Sequence, residues 1–181
     1  SWSRAEGNVS GKNKVGGLAG ENTENNVITR SSAAGSVSGE RHTGGLVGNN
    51  SGTVTFSHAV GDVQGNGSYI GGLIGYQSGI VEDSYATGNV LNTETSLTGG
   101  LTGFHSDLSG ATRRAYSTGS VSSGFGVAGA TGGTYEAVYW NMDTSGTVVS
   151  GSNSNEVKGL TAEEMTDPSS FQGWNFQTVW E

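Results

Sequence analysis

Gly44-Gly45-Leu46-Val47-Gly48 is the stretch on which the fold turns. The same pattern stands at Gly16-Gly17-Leu18-Ala19-Gly20, Gly71-Gly72-Leu73-Ile74-Gly75 and Gly99-Gly100-Leu101-Thr102-Gly103. A degenerate fifth copy reads Phe125-Gly126-Val127-Ala128-Gly129. From one second glycine to the next the chain advances 28, 27, 28 and 26 residues. A fixed period of this kind marks a repeat architecture.

A second motif runs in phase with the first. It is small-x-small-x-Gly-x-Val, at Ser3-Ala5-Gly7-Val9, Ser31-Ala33-Gly35-Val37, Ser57-Ala59-Gly61-Val63, Ser84-Ala86-Gly88-Val90 and Ala115-Ser117-Gly119-Val121. Alternation with period two makes these strands, with the small residues turned inward and the intervening ones outward. Three places before each Ser or Ala comes Ile28, Val54, Val81 or Thr112. Asn49-Asn50-Ser51-Gly52, Asn66-Gly67-Ser68 and Gln77-Ser78-Gly79 read as corners.

A unit of about 27 residues with two or three short strands cannot bury its inner face alone. Stacking units into parallel ladders, about 4.8 Å per rung, solves this. Small inner residues imply a narrow interior whose walls approach closely. β-Propeller blades run to roughly 40–50 residues, longer than this period allows. The expected fold is all-β: a parallel β-helix, or β-solenoid, of about five coils over residues 1–133.

The last stretch, 134–181, differs. Phe171, Trp174, Phe176 and Trp180 make it far more aromatic than the repeats. Thr161 with Glu164 three residues on is a capping-box pattern, so one short helix is expected there. Asp167-Pro168 ends it or turns the chain. A solenoid leaves a strand edge at each end, and residues 134–181 are expected to be a cap over the last coil. Sugar binding is the alternative use of these aromatics.

Composition narrows function. Sixteen acidic residues against eight basic ones give a formal charge of −8. No basic run exceeds Arg113-Arg114, so no nucleic-acid footprint is present. No stretch approaches the roughly 20 apolar residues of a membrane span. Zero cysteines exclude disulfides and thiolate metal sites. The start at Ser1-Trp2-Ser3, without initiator Met or signal peptide, reads as a piece of something longer.

The Gly-Gly-Leu-Val/Ile-Gly phase is similar to the GLUG-motif repeats of bacterial surface proteins, including filamentous-haemagglutinin-like adhesins and accessory regions of IgA-cleaving peptidases. The resemblance covers about residues 1–133. Val138-Tyr139-Trp140-Asn141-Met142-Asp143-Thr144-Ser145-Gly146 and Gly159-Leu160-Thr161-Ala162-Glu163-Glu164-Met165 look like the closing module that often follows such repeats. The resemblance implies an extracellular or cell-surface location and an adhesive or spacer role, with host or environmental glycans, surface proteins or other domains of the same chain as partners.

No constellation reads as catalytic. The His-Glu-x-x-His zinc signature is missing, and His42, His58 and His105 stand in different units at different phases. Alignment places Glu82 beside Arg113 and Asp83 beside Arg114, two structural ion pairs across a ladder in preference to a glycosidase carboxylate pair. No cofactor or metal is called for. Asp62 lacks an aspartate counterpart in neighbouring coils, and Asp143 alone is thin support for structural calcium. The outward position between motif Ser and Ala reads Arg4, Ser32, His58, Tyr85 and Tyr116. His58, Tyr85 and Tyr116 are the candidate ligand-binding stripe, able either to stack on a sugar ring or to pack on one another. The next outward row, Glu6, Ala34, Val60, Thr87 and Thr118, is too irregular for an ice-binding face. Lengthened corners at 91–98 and 104–111 are variable surface on a rigid frame. The expected function is a non-catalytic structural or adhesive segment of a larger secreted or surface protein. The alternatives are a carbohydrate-binding or carbohydrate-active β-helix, or an accessory region of a peptidase.

Overall fold

A computed structural model of the chain describes residues 2–94, 97–106, 110–130 and 132–177. It is a stack of repeats in which the strands of each coil pair in parallel with those of the next, forming three sheets and a β-solenoid of about five coils. One sheet carries the small-residue motif, with Ser3↔Ser31, Ala5↔Ala33, Ala33↔Ala59, Ala59↔Ala86 and Ala86↔Ser117 in register. A second carries the motif valines, Val9↔Val37↔Val63↔Val90↔Val121. A third follows the Gly-Gly-Leu corner, with Ala19↔Val47↔Ile74↔Thr102.

The two motifs keep one phase because they face each other across the interior. A Cβ added to Gly45 would lie 2.8 Å from the Ala59 Cβ, and one on Gly17 would lie 2.8 Å from that of Ala33. Gly72 stands in the same way against Ala86, and Gly100 against Ser117. Leu46, Leu73 and Leu101 fill the space beside them and are fully buried.

The motif serine has a separate task. Just before it, Arg30, Phe56, Asp83, Arg114 and Ala137 turn the corner with φ between 44° and 51°, the left-handed region that costs an L-residue about 1 kcal/mol or more. This breaks the regular ladder. The Ser57 hydroxyl bridges the break: it accepts from the Ser31 N–H at 3.1 Å and donates to the Thr55 carbonyl at 2.7 Å. Ser84 does the same for the next rung. At another corner a buried amide ladder runs along the axis, Asn22 Nδ2 donating to Asn50 Oδ1 at 2.7 Å and Asn50 Nδ2 to Gln77 Oε1 at 2.8 Å. The Asn and Gln read from sequence as turn formers are thus interior hydrogen-bonders, and a buried amide left unpaired is costly.

Residue 133 is not a break in the sheet. Thr134–Asn141 pairs with Ala111–Ser117, and Val157–Leu160 pairs with Thr134–Asn141, so the first sheet gains two further rungs. Tyr135, Val138 and Trp140 close the interior. The α-helical turn lies at Met142–Ser145 rather than near Thr161. Asn141 caps it, accepting from the N–H groups of Asp143 and Thr144, and Gly146 ends it at φ 72°. The Thr161–Glu164 capping box does form, Thr161 N–H donating to Glu164 Oε2 at 2.8 Å and Glu164 N–H to Thr161 Oγ1 at 3.2 Å. It opens only a 3-10 turn, Glu164–Thr166, because Pro168 holds Asp167 extended and starts a second one, Pro168–Ser170.

Candidate binding groove on the aromatic face

Alternation on the first sheet turns His58, Tyr85 and Tyr116 outward at one register position. Their rings lie at 4.7 Å and 5° for His58–Tyr85, and at 4.9 Å and 4° for Tyr85–Tyr116. The spacing is that of the rungs, so each ring lies flat on the next. Tyr85 therefore has both faces covered by its neighbours, and the stripe offers ring rims and hydroxyl tips rather than open faces. Of the two uses open to an aligned stripe, mutual packing describes what these rings do to one another. Tyr139 extends the row by one rung.

The segment after Leu160 folds back over this row. Phe171, Trp174 and Phe176 pack with Tyr139, Leu160 and Ala137. Two bonds fix the placement: Gln172 N–H donates to the Tyr139 hydroxyl at 3.0 Å, and the Trp174 indole N–H to the Ala137 carbonyl at 3.0 Å. Asp143 takes the Ala162 N–H at 2.7 Å, which ties the root of the arm to the helical turn. The aromatics expected to sit over the terminal coil thus cover its outer side, including Tyr116. Val179 and Trp180, also assigned to the cap, lie outside the described residues, as do 95, 96 and 107–109 of the two lengthened corners.

Between arm and stripe lies a groove of about 490 Å³. Its floor is the rims of His58, Tyr85 and Tyr116, and Trp174 and Phe176 form one wall. Phe56 and Asp83, at the left-handed corner, also line it. Such a site, mostly aromatic with a few fixed polar groups, suits a small or terminal ligand group.

The ion pairs differ from the alignment in one respect. Arg114 holds Asp83 with two bonds, Nε to Oδ1 at 2.7 Å and Nη2 to Oδ2 at 3.1 Å, and its Nη2 also contacts Glu82. Arg113 stands beside Glu82 in the backbone register, yet its ion pair is with Glu136 one coil on, at 3.4 Å. The expected Glu82–Arg113 pair is therefore replaced. Arg114 projects from the corner where the chain turns left-handed, and from there its planar guanidinium spans both carboxylates. Asp83 is buried, and its partners hold the Arg114 guanidinium firmly protonated.

Burial sets the other ionisations. Desolvation, aided by the charge of Arg4, pushes the His58 imidazole below its usual range, and burial raises the phenols of Tyr85 and Tyr116. At neutral pH the stripe is uncharged. Among the described residues no three His, Cys, Asp or Glu side chains gather to hold a metal. No helix of the described residues is long and apolar enough to cross a membrane.

Sequence reasoning missed a second aromatic cluster at the corner between the valine sheet and the Gly-Gly-Leu sheet. His42 stacks on Tyr76 at 5.2 Å, Tyr76 on Phe104 at 5.4 Å, and Tyr69 touches all three. Its signal was present: His42 and Tyr69 are both two places before the first glycine of a Gly-Gly-Leu copy, and Tyr76 and Phe104 both just after its last glycine. His105 is separate from both clusters, fully buried and edge-on to Tyr135 at 4.8 Å.

Sheet register and outward rows define a parallel β-solenoid with a laterally folded C-terminal arm. Residues 66–91 match the family model described as the GLUG motif, and the chain carries that motif as one of a run of in-register repeats. No curated protein and no solved structure matches the chain significantly.

Proposed function

We propose that the chain is a non-catalytic segment of a larger secreted or cell-surface bacterial protein, serving to present a rigid repeated surface for adhesion. The observation that supports this is the stripe itself. Half-buried aromatic residues on the outer face of the first sheet are organised at one register position, made rigid by mutual stacking, and bounded by an arm that leaves a groove beside them. Charges that would serve acid–base chemistry are instead paired off, as Asp83 and Glu82 are by Arg114. A carbohydrate-binding role is the second reading, favoured by the aromatic lining and the fixed hydroxyl tips of the groove. Immobilised glycans and host-type surface proteins, probed with the wild type and with a Tyr85→Ala/Tyr116→Ala double variant, test both. Adhesion lost in the double variant, at unchanged melting temperature, places it at the groove. Hydrolysis of any bound glycan by the wild type would overturn the non-catalytic reading.

A further inference from the structure

The opposite side of the Gly-x-Val bend carries a second concave surface of about 600 Å³, which runs over all five coils. One of its rows is Asn8, Ser36, Asp62, Asn89 and Ser120, the residue after each motif glycine. The other is Ser10, Ser38, Gln64 and Leu91, paired in register. Every one of these side chains is exposed.

The first row is held in place by the coils beneath it. Asn8 Oδ1 accepts from the Ser36 N–H at 2.9 Å, Asp62 Oδ1 from the Asn89 N–H at 2.8 Å, and Asn89 Oδ1 from the Ser120 N–H at 3.0 Å. Each bond anchors one oxygen of its carboxamide or carboxylate. The second polar atom, Nδ2 of Asn8 and Asn89 and Oδ2 of Asp62, is then directed away from that bond. Three of the five coils thus carry an anchored polar side chain along the axis, on rungs about 4.8 Å apart, which lowers the entropy cost of ordering them on binding.

We infer that this groove binds a linear neutral polysaccharide laid along the solenoid axis. A row of polar side chains one rung apart, anchored at Asn8, Asp62 and Asn89, suits a ligand that is itself periodic, and a chain of pyranose rings advances by about one rung per ring. Leu91, 47% exposed, offers an apolar contact for a ring's C–H face. The single charged residue in the lining is the acidic Asp62, and the chain carries −8 overall, which disfavours anionic polymers. An extended peptide advances only about 3.3 Å per residue and pairs with strand edges, which this face does not offer. The inference deepens the adhesive reading, on which it rests, by naming a ligand class and a site separate from the aromatic groove.

The test uses the whole chain and soluble oligomers of cellulose, xylan and mannan of increasing length, with polygalacturonate as the anionic comparison, followed by calorimetry. Affinity for a neutral oligomer is expected to rise with length until the oligomer spans the five coils and then to level off. Ser38→Trp and Gln64→Trp, each placing a ring across the groove from an exposed position, should weaken binding at least about tenfold at unchanged melting temperature, while Val148→Ala, at an exposed position outside both grooves, leaves it intact. No affinity for any of the neutral series, preference for polygalacturonate, or binding indifferent to both Trp variants would overturn the inference. Adhesion that persists in a chain that ignores every neutral oligomer would discard this site and keep the adhesive reading.

Discussion

At the scale of single residues, the repeat is a record of two walls that nearly touch. Gly45 is glycine because Ala59 stands opposite and the Gly72 carbonyl lies beneath it. No left-handed backbone is involved, so the constraint is one of space. Gly45→Ala should therefore destabilise by about 3 kcal/mol, at the upper end for overpacking, since the nearest obstacle is backbone that cannot rotate away. Gly7 supplies the contrast: a Cβ there meets nothing within 4 Å. Gly7→Ala should change stability by less than about 1 kcal/mol, with either sign, because it mainly restricts the unfolded chain. Urea midpoints at constant slope compare the two, and equal losses would show that the close approach of the walls is not what selects glycine. The serine of the motif belongs to the same scale. Its hydroxyl repairs a ladder that a left-handed corner interrupts, which is why Ser recurs where Ala would pack as well.

At the scale of elements, the strands and their register were legible in the sequence, since period-two alternation and two phased motifs leave one way to stack. Register alone correctly placed His58, Tyr85 and Tyr116 on one line. What lies beyond register was not legible. Residues 134–181 do close the last coil, through Tyr135, Val138 and Trp140, but the side on which the later aromatics fold was not legible, because they specify burial and not the surface they cover. The charge partners shifted because a guanidinium reaches across rungs, and Arg114 leaves the chain at a corner that no ladder alignment describes. Tyr139 escaped notice because Val138 and Trp140 stand where the motif has small residues. The stack itself has a pH consequence. His58 is held below its usual value of 6.5, chiefly by desolvation, and His42 likewise. Well above 6.5 both imidazoles are neutral in either state and their full contribution is present. As pH falls through 6.5 the unfolded chain takes up the proton first, so stability declines until the lower folded value is reached. Denaturation on either side of 6.5 should show a drop in the wild type that is smaller in His58→Phe, which keeps a ring in the stack. An identical drop in both would remove His58 as its source.

At the scale of the molecule, a solenoid is close to one-dimensional: each coil touches its neighbours, and stability is a sum along the axis. The first and last coils of the described residues differ in how far they are enclosed. In the first coil Ser3, Ala5 and Val9 are only half-buried, whereas their counterparts Ala33, Ala59, Ala86, Val37 and Val63 are almost wholly enclosed. At the other end Tyr135, Trp140 and Val157 seal the interior, and the arm pins the last rungs from the side. Four equivalent amides report how this asymmetry is distributed. Leu18 donates to the Leu46 carbonyl, Leu46 to Leu73, Leu73 to Leu101, and Leu101 to Val127, each at 2.9–3.0 Å. Because the bonds are alike, differences in their exchange rates measure the opening of coils and not the bonds themselves. Native-state hydrogen exchange should find Leu18 the least protected and Leu46 more so, with Leu73 and Leu101 exchanging only through global unfolding. Fraying then proceeds from the first coil toward the arm, and the polar groove, which spans every coil, loses its Asn8 end before its Ser120 end. If Leu101 exchanged fastest, the aromatic arm would not be securing the coils beside it.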